Sequence, residues 1–179
     1  MFSDLNNKKV LITGSTKGIG RAAAIAFARQ GAIIGINSSQ KDEAALELIS
    51  HLEKEKVRFA YFEHDLCDSS ECEALIGEFV DRFGGLDVLV KNAGGLGVRK
   101  GLESLEDDDF DLVMNLNLRS VIMTTRFAMP HLKASAEERG ETASVISTGS
   151  IAGREGGGLG ASLYGGSKAM LHNLHRNWV

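Results

Sequence analysis

Tyr164 and Lys168, near the end of the chain, have the residue types and spacing that acid–base chemistry requires. Side chains four residues apart share one face of a helix, so the lysine ammonium can lie beside the phenol. A free phenol has a pKa of about 10, but a neighbouring positive charge stabilises the phenolate and prepares it for general acid–base catalysis. Such pairs also occur on helix surfaces without any role, so the pair alone does not establish a site.

A glycine-rich turn near the start of the chain predicts an anion site. An apolar run from Lys9 to Ile12 precedes it and a helical segment from Arg21 follows it. The turn itself is Gly14, Ser15, Thr16, Lys17, Gly18, Ile19 and Gly20. A helix N-terminus reached through such a turn presents free N–H groups and the positive end of the helix dipole to a phosphate. The alternatives are a turn that only redirects the chain, or a mononucleotide site, which the missing Gly-Lys-Ser/Thr ending disfavours.

Apolar segments alternate with helical segments along the rest of the chain. The predicted strands after the first are 32–37, 57–62, 86–90 and 143–147; the predicted helices are 41–54, Ser69 or Ser70 to about 82, 107–133 with Pro130 kinking or ending it, and 162–179. This alternation predicts an α/β fold, a Rossmann-type doubly wound parallel sheet with helices on both faces. The ligand site is then expected at the carboxyl ends of the strands.

Composition excludes several classes of protein. The 179 residues are 43% hydrophobic with a net charge of −4, which indicates one globular domain and no nucleic-acid surface. No apolar stretch is long enough to span a bilayer, and the first residues show no targeting pattern, so a cytoplasmic location is expected. Cys67 and Cys72 are expected to be reduced, and no metal site is expected.

Five motifs that occur in order resemble those of the classical short-chain dehydrogenase/reductase family. They are Thr13-Gly14-x-x-x-Gly18-Ile19-Gly20, Asn92-Ala93-Gly94, Asn117, Ser150 and Tyr164-x-x-x-Lys168. The resemblance runs from about Lys8 to the last residue. It implies an oxidoreductase that transfers a hydride between NAD(P)(H) and a ketone or secondary alcohol. The alternative is a dinucleotide-binding protein of the same fold without catalysis.

The resemblance also implies a role for each matching residue. Tyr164 would exchange a proton with the substrate oxygen, Lys168 would assist it and hold the nicotinamide ribose, Ser150 would hold the substrate oxygen, and Asn117 would position a water. Asn115 is taken as structural, and Ser147 is the alternative to Ser150. The implied cofactor contacts are the seven residues of the glycine turn, Ser38, Asp65, Leu66, Asn92, Ala93, Gly94, Tyr164 and Lys168.

The end of the second strand bears on the choice of nucleotide. It reads Asn37-Ser38-Ser39-Gln40-Lys41, without the carboxylate that holds the ribose hydroxyls of NAD. Lys17 lies where NADP-binding members of the family often carry a basic residue. NADP(H) is therefore predicted, with NAD possible. Lys91 stands where the family usually has asparagine, and its side chain is expected to point to solvent.

Members of the family are longer than this chain, which stops within the helix that carries Tyr164. We therefore expect an NAD(P)-binding Rossmann domain, residues 1–179, that lacks the C-terminal part of the fold. The family also implies a small-molecule carbonyl or alcohol substrate and a homotetramer or homodimer.

Overall fold

Five parallel strands form the centre of the fold in this computed structural model, which describes residues 3–174. In chain order they are β1 Lys9–Ile12, β2 Ile33–Ser38, β3 Phe59–Glu63, β4 Val88–Lys91 and β5 Ser144–Ser147. Their order across the sheet is β3-β2-β1-β4-β5, and each neighbouring pair is parallel. The predicted doubly wound sheet is therefore confirmed.

Helices connect the strands and cover both faces of the sheet. They are α1 Gly18–Arg29, α2 Glu43–Lys54, α3 Ser69–Phe83, α4 Asp107–Met114, α5 Ser120–Arg139, α6 Ala152–Glu155 and α7 Ser162–Leu174. No helix within residues 3–174 has the length and apolar character needed to cross a bilayer.

The core has two parts because successive strand residues point to opposite faces of the sheet. Leu11 of β1 packs with Phe79 of α3 on one face, together with buried residues of α5. Val10 and Ile12 pack on the other face, against α1 and α2. Fully burying an aliphatic or aromatic side chain contributes about 1.5–3 kcal/mol, so these two layers hold the strand ends at fixed positions.

Two of the predicted helix boundaries differ from the structure. Helix α3 is capped by Asp68, which accepts from the backbone N–H of Ser70, and not by Ser69 or Ser70 themselves. Helix α5 continues through Pro130 to Arg139, because neighbouring residues on its inner face are buried and packing outweighs the lost hydrogen bond. The last predicted helical residues, 175–179, lie outside the described residues.

The segment predicted as one helix from residue 107 is also interrupted. A π-helical turn, Asn115–Arg119, separates α4 from α5. A π turn widens the helix and often occurs at a functional site. Here it contains Asn117, which is fully buried.

Candidate active site

A cavity of about 560 Å³ opens at the carboxyl ends of β1, β4 and β5. The strand order reverses between β1 and β4, which is where doubly wound sheets bind ligands. The cavity is lined by Gly14, Lys17, Gly18, Ile19, Asn92, Ala93, Gly94, Thr148, Gly149, Ser150, Tyr164 and Lys168. Most of the predicted cofactor and catalytic residues therefore meet at one place.

Hydrogen bonds join the glycine turn to the turn after β4. The hydroxyl oxygen of Thr13 accepts from the backbone N–H groups of Asn92 and Ala93, each at 3.1 Å. The Asn92 amide donates to the carbonyl of Gly14 at 2.7 Å. Gly14 has a φ of +56°, and a Cβ there would lie 2.8 Å from the Ala93 Cα. The two turns therefore pack together too closely for a side chain at Gly14.

The start of α1 fits a bound diphosphate. Lys17 precedes the helix, and among the described residues its side chain does not cap the first N–H groups. At Gly18 no protein atom lies within 4 Å of where a Cβ would be, so the space beside the helix start is open. The apolar side chain of Ile19 is 69% exposed at the same wall. Free N–H groups beside an open space are what a phosphate requires.

Three predicted residues of the turn support it without lining the cavity. Ser15 is buried, and its hydroxyl accepts from the backbone N–H of Asn37 at 2.8 Å. Thr16 is also buried. A Cβ at Gly20 would lie 2.4 Å from the Asn92 amide nitrogen, so glycine permits the close contact of α1 with that turn.

Lys168 lies on α7 between Tyr164 and the end of β5. It is 4% exposed, and its ammonium donates to the carbonyl of Thr148 at 3.2 Å. The ammonium nitrogen is 5.7 Å from the centroid of the Tyr164 ring, as the shared helix face predicts. Burial lowers the pKa of Lys168, because the charged form loses hydration.

Ser150 follows β5, and its hydroxyl oxygen accepts from the backbone N–H of Ala152 at 3.2 Å. Its own proton therefore stays available for a ligand. The alternative, Ser147, is the last residue of β5 and does not line the cavity.

Asn117 lies in the π turn behind the cavity wall at Gly94 and does not itself line the cavity. Its amide nitrogen donates to the carbonyls of Gly95 and Val113, and its oxygen accepts from the N–H of Gly95. A Cβ at Gly94 would lie 2.9 Å from the Asn117 side-chain oxygen and 3.3 Å from the Lys168 ammonium. Glycine at position 94 therefore leaves both polar groups room beside the backbone.

The remaining predicted cofactor residues lie at the ends of β2 and β3, away from the cavity. The Ser38 hydroxyl donates to the carbonyl of Gln40 at 2.8 Å and lies 3.0 Å from the Tyr61 hydroxyl. Asp65 is exposed and accepts from the N–H of Cys67. Leu66 is 5% exposed, and its side chain belongs to the core.

Lys17 is paired with an acid that the sequence places 25 residues away. Its ammonium lies 2.7 Å from the carboxylate of Asp42, which also caps α2 by accepting from Ala45. The hydrogen bond from Lys17 lowers the pKa of Asp42, and the bond from the Ala45 N–H adds to this. A carboxylate therefore lies beside Lys17 of the glycine turn, although the end of β2 itself has none.

The prediction for Lys91 is wrong. Its side chain is 2% exposed and lies inside the protein at the end of β4. Burial lowers its pKa to about 7, since the charged form is poorly hydrated there.

Three contributors to the site were missed as site residues, among them Gly149, which lines the cavity. Thr148 lines the cavity and holds Lys168 through its carbonyl, and Thr13 links the two turns. Both come directly after or at the end of a strand, a position that is visible in the sequence. No group of acidic, histidine and cysteine side chains suited to a metal occurs in residues 3–174.

The doubly wound sheet and a cavity at the point where its strand order reverses are features of the short-chain dehydrogenase class. The profile of that family, described as short chain dehydrogenase, matches residues 8–179. The chain belongs to this family.

Solved structures share this fold closely. One is the NADH-dependent reductase A1-R′, described as responsible for alginate metabolism, with 53% identity and a TM-score of 0.95 over 99% of this chain and 72% of that one. The same reductase has been solved with NAD, at 54% identity over the whole of this chain and 74% of that one, with a TM-score of 0.95. A short chain dehydrogenase from Burkholderia cenocepacia in complex with NADP is 34% identical, with a TM-score of 0.84 over 93% of this chain and 65% of that one.

Among curated proteins, the oxidoreductase YhdF of Bacillus subtilis is 36% identical over 152 residues, or 85% of this chain. The chain spans 50% of the length of that relative.

Proposed function

We propose that this chain carries the cofactor and acid–base residues of a reductase that transfers a hydride between NAD(P)H and a ketone, or back from a secondary alcohol. The observation that carries the proposal is the meeting of Ser150, Tyr164 and Lys168 with the glycine turn in one cavity. The nicotinamide, when bound, supplies or takes the hydride, and the protein supplies position and a proton.

Each polar side chain of the site has its own role in this proposal. The Ser150 hydroxyl, whose oxygen already accepts from Ala152, donates its proton to the substrate oxygen. The Tyr164 hydroxyl gives its proton to that oxygen as negative charge develops there. The Lys168 ammonium, held by Thr148, stabilises the phenolate that Tyr164 leaves. Asn117, fixed by Gly95 and Val113, keeps the wall beside Gly94 in place.

One assay distinguishes the proposed reductase from the alternative, a dinucleotide-binding protein without catalysis. NADH and NADPH oxidation is followed with a panel of ketones for the unaltered protein, for Tyr164→Phe and for Tyr61→Phe, which removes the hydroxyl of the other tyrosine in the chain. We expect turnover to fall by at least about 100-fold in Tyr164→Phe and to change less than about threefold in Tyr61→Phe. Cofactor binding without reduction of any ketone favours the non-catalytic protein.

Two nucleotides are candidates for different reasons. The absence of an acid in residues 37–41 and the basic Lys17 favour NADP(H), as the sequence predicts. The pairing of Lys17 with Asp42 and the NAD complex of the A1-R′ relative favour NADH. A 2′-phosphate near Lys17 would also approach the Asp42 carboxylate, which is unfavourable. We therefore propose NADH as the preferred cofactor and NADP(H) as the second candidate.

Titration of the two nucleotides distinguishes them. We expect NADH to bind more tightly than NADPH to the unaltered protein. Asp42→Asn removes the charge while keeping a side chain that can cap α2, so it should shift the ratio toward NADPH by about five- to tenfold. Lys17→Ala should reverse that shift in the double variant. Tighter NADPH binding by the unaltered protein would make NADP(H) the cofactor.

The substrate class is proposed from the relative named for alginate metabolism, since alginate is built of acidic sugars. A carbonyl compound with a carboxylate is therefore the first to test, with Arg99 and Arg154 as its candidate partners. Arg99 donates to the carbonyl of Leu159 at 2.6 Å, whereas Arg154 is exposed on α6 beside the Ser150 turn. Arg154→Gln should raise KM for an acidic sugar and leave KM for a neutral ketone unchanged.

We also propose assembly into a dimer or tetramer through α4 and α5. Phe110 and Leu112 of α4 are 50% and 47% exposed, and Ile122 and Met129 line a shallow apolar hollow on α5. Sedimentation of the unaltered protein and of Phe110→Glu tests this, with a smaller species expected for the variant. The cytoplasmic location stays a prediction.

A further inference from the structure

His172 contacts the turn that carries Ser150. It lies on α7, four residues after Lys168 and eight after Tyr164, so the three side chains form a row along one face of the helix. The Nε2 atom of His172 accepts from the backbone N–H of Ser150 at 3.4 Å. Lys168 contacts the same turn at the carbonyl of Thr148. Helix α7 therefore holds this turn at two backbone atoms, two residues apart.

Glycines on each side of Ser150 make room for the imidazole ring. A Cβ at Gly149 would lie 2.8 Å from the His172 Nε2, and a Cβ at Gly153 would lie 2.9 Å from its Cε1. A Cβ at Gly153 would also lie 2.7 Å from the backbone carbon of Lys168. The ring thus fits a slot that only glycine leaves open.

We infer that His172 is a positioning residue for Ser150, acting on the reaction proposed above, on which this inference rests. The bond requires Nε2 without a proton, so the ring proton sits on Nδ1. With the backbone N–H of Ser150 held by His172 and its hydroxyl oxygen held by Ala152, the backbone and side chain of Ser150 are both fixed. Only the direction of the hydroxyl proton then remains free, and this proton can point toward the substrate oxygen.

Variants at position 172 separate positioning from simple packing. His172→Leu fills the slot without an acceptor, whereas His172→Gln places an amide oxygen at about the reach of Nε2. Asn173→Leu puts the same new side chain on the exposed neighbouring position as a control. Because a displacement of about 1 Å can cost about 100-fold in rate, we expect kcat to fall about 10- to 100-fold in His172→Leu. We expect it to recover to within about fivefold in His172→Gln and to stay unchanged in Asn173→Leu.

Cofactor affinity and a spectroscopic measurement complete the test. NADH binding should stay within about twofold in all three variants, because Ser150 acts on the substrate. Nitrogen-15 NMR of the unaltered protein should show His172 with its proton on Nδ1, and the Ser150 amide proton signal should move in His172→Leu and return in His172→Gln.

The two readouts keep the inference distinct from the proposed function. If the unaltered protein reduces no carbonyl, the proposed function fails, and the NMR result alone decides whether His172 holds Ser150. A His172 ring with its proton on Nε2, or a kcat that is equal in His172→Leu and the unaltered protein, overturns the inference. Equal losses of kcat in His172→Leu and His172→Gln also overturn it, since packing alone would then explain the effect.

Discussion

Lys168 and Thr148 are joined by a hydrogen bond of 3.2 Å from the lysine ammonium to the threonine carbonyl. The bond connects α7, which carries Tyr164, to the end of β5, beside Ser150. It therefore sets the distance between the proposed acid–base residue and the proposed substrate-binding hydroxyl. A buried ammonium group stabilises this arrangement only while the carbonyl compensates for its lost hydration.

Replacing Lys168 by methionine should reduce activity without reducing stability. Burial lowers the pKa of this lysine, so methionine removes a costly buried charge as well as one hydrogen bond. We expect kcat to fall at least about 100-fold while the melting temperature stays equal or rises. Lys133→Met, on the exposed face of α5, is the control and should change neither quantity. A large loss of melting temperature in Lys168→Met would show that the lysine is mainly structural.

The buried Lys91 should make stability depend on pH. Its pKa is about 7 in the folded protein and 10.5 in its ordinary state, so between these values the unfolded chain binds more protons. The contribution of this residue to the free energy of unfolding therefore increases as pH rises from 7 to 10.5. Below pH 7 the buried charge of Lys91 destabilises the folded protein to its full extent.

Urea unfolding of the unaltered protein and of Lys91→Met at pH 7 and pH 10 measures this term. The difference between the two proteins isolates Lys91 from the cysteines and tyrosines that titrate in both. We expect Lys91→Met to be the more stable by a few kcal/mol at pH 7 and the difference to shrink at pH 10. A difference that is the same at both pH values would contradict a lowered pKa.

Two glycines of the first turn should respond differently to alanine. Gly14 and Gly18 have similar positive φ values of +56° and +53°, so alanine is strained by about 1–2 kcal/mol at either. At Gly14 the new Cβ also meets the Ala93 backbone at 2.8 Å, whereas at Gly18 it meets nothing within 4 Å. Gly14→Ala should therefore destabilise the cofactor-free protein by an additional 1–3 kcal/mol, roughly. Equal melting temperatures for the two variants would show that the two turns are not packed as described.

Asn117 and Asn115 form a second matched pair. Asn117→Ala removes three hydrogen bonds to the backbone of Gly95 and Val113 in a fully buried place, which should cost about 2–4 kcal/mol. Asn115→Ala removes one bond from Arg119 near the surface and should cost less than about 1 kcal/mol. Urea unfolding of both variants measures the difference, and similar losses would contradict the choice of Asn117 over its neighbour.

The strands and the first turn could be predicted because their causes are local. Apolar runs such as Lys9–Ile12 and the glycines that follow determine strand, turn and helix start over short distances. The choice among adjacent caps was wrong because Asp68, Ser69 and Ser70 are all good caps, and only the geometry of α3 selects the first. Pro130 was predicted to kink or end its helix, as proline usually does. Packing on the sheet instead lets α5 continue through it.

The ion pair of Lys17 and the burial of Lys91 could not be predicted from the sequence, because both depend on tertiary structure. Lys17 and Asp42 come together only when β1 and β2 pair in the sheet. Lys91 is buried although lysine is usually exposed, and the cause is its position at the end of a covered strand. Neither the pairing of Lys17 with Asp42 nor the burial of Lys91 follows from the neighbouring residues in the chain.

We propose that Tyr164 completes, by proton transfer, a hydride transfer that begins at the cofactor in this cavity. NADH deuterated at the transferred position is incubated with the protein and an acidic sugar ketone or a simple ketone, and the product is examined by NMR. We expect deuterium on the carbinol carbon with the unaltered protein and less than about one hundredth of that rate of transfer with Tyr164→Phe. Undiminished transfer in Tyr164→Phe, or bound NADH with no deuterium in any product, would contradict it.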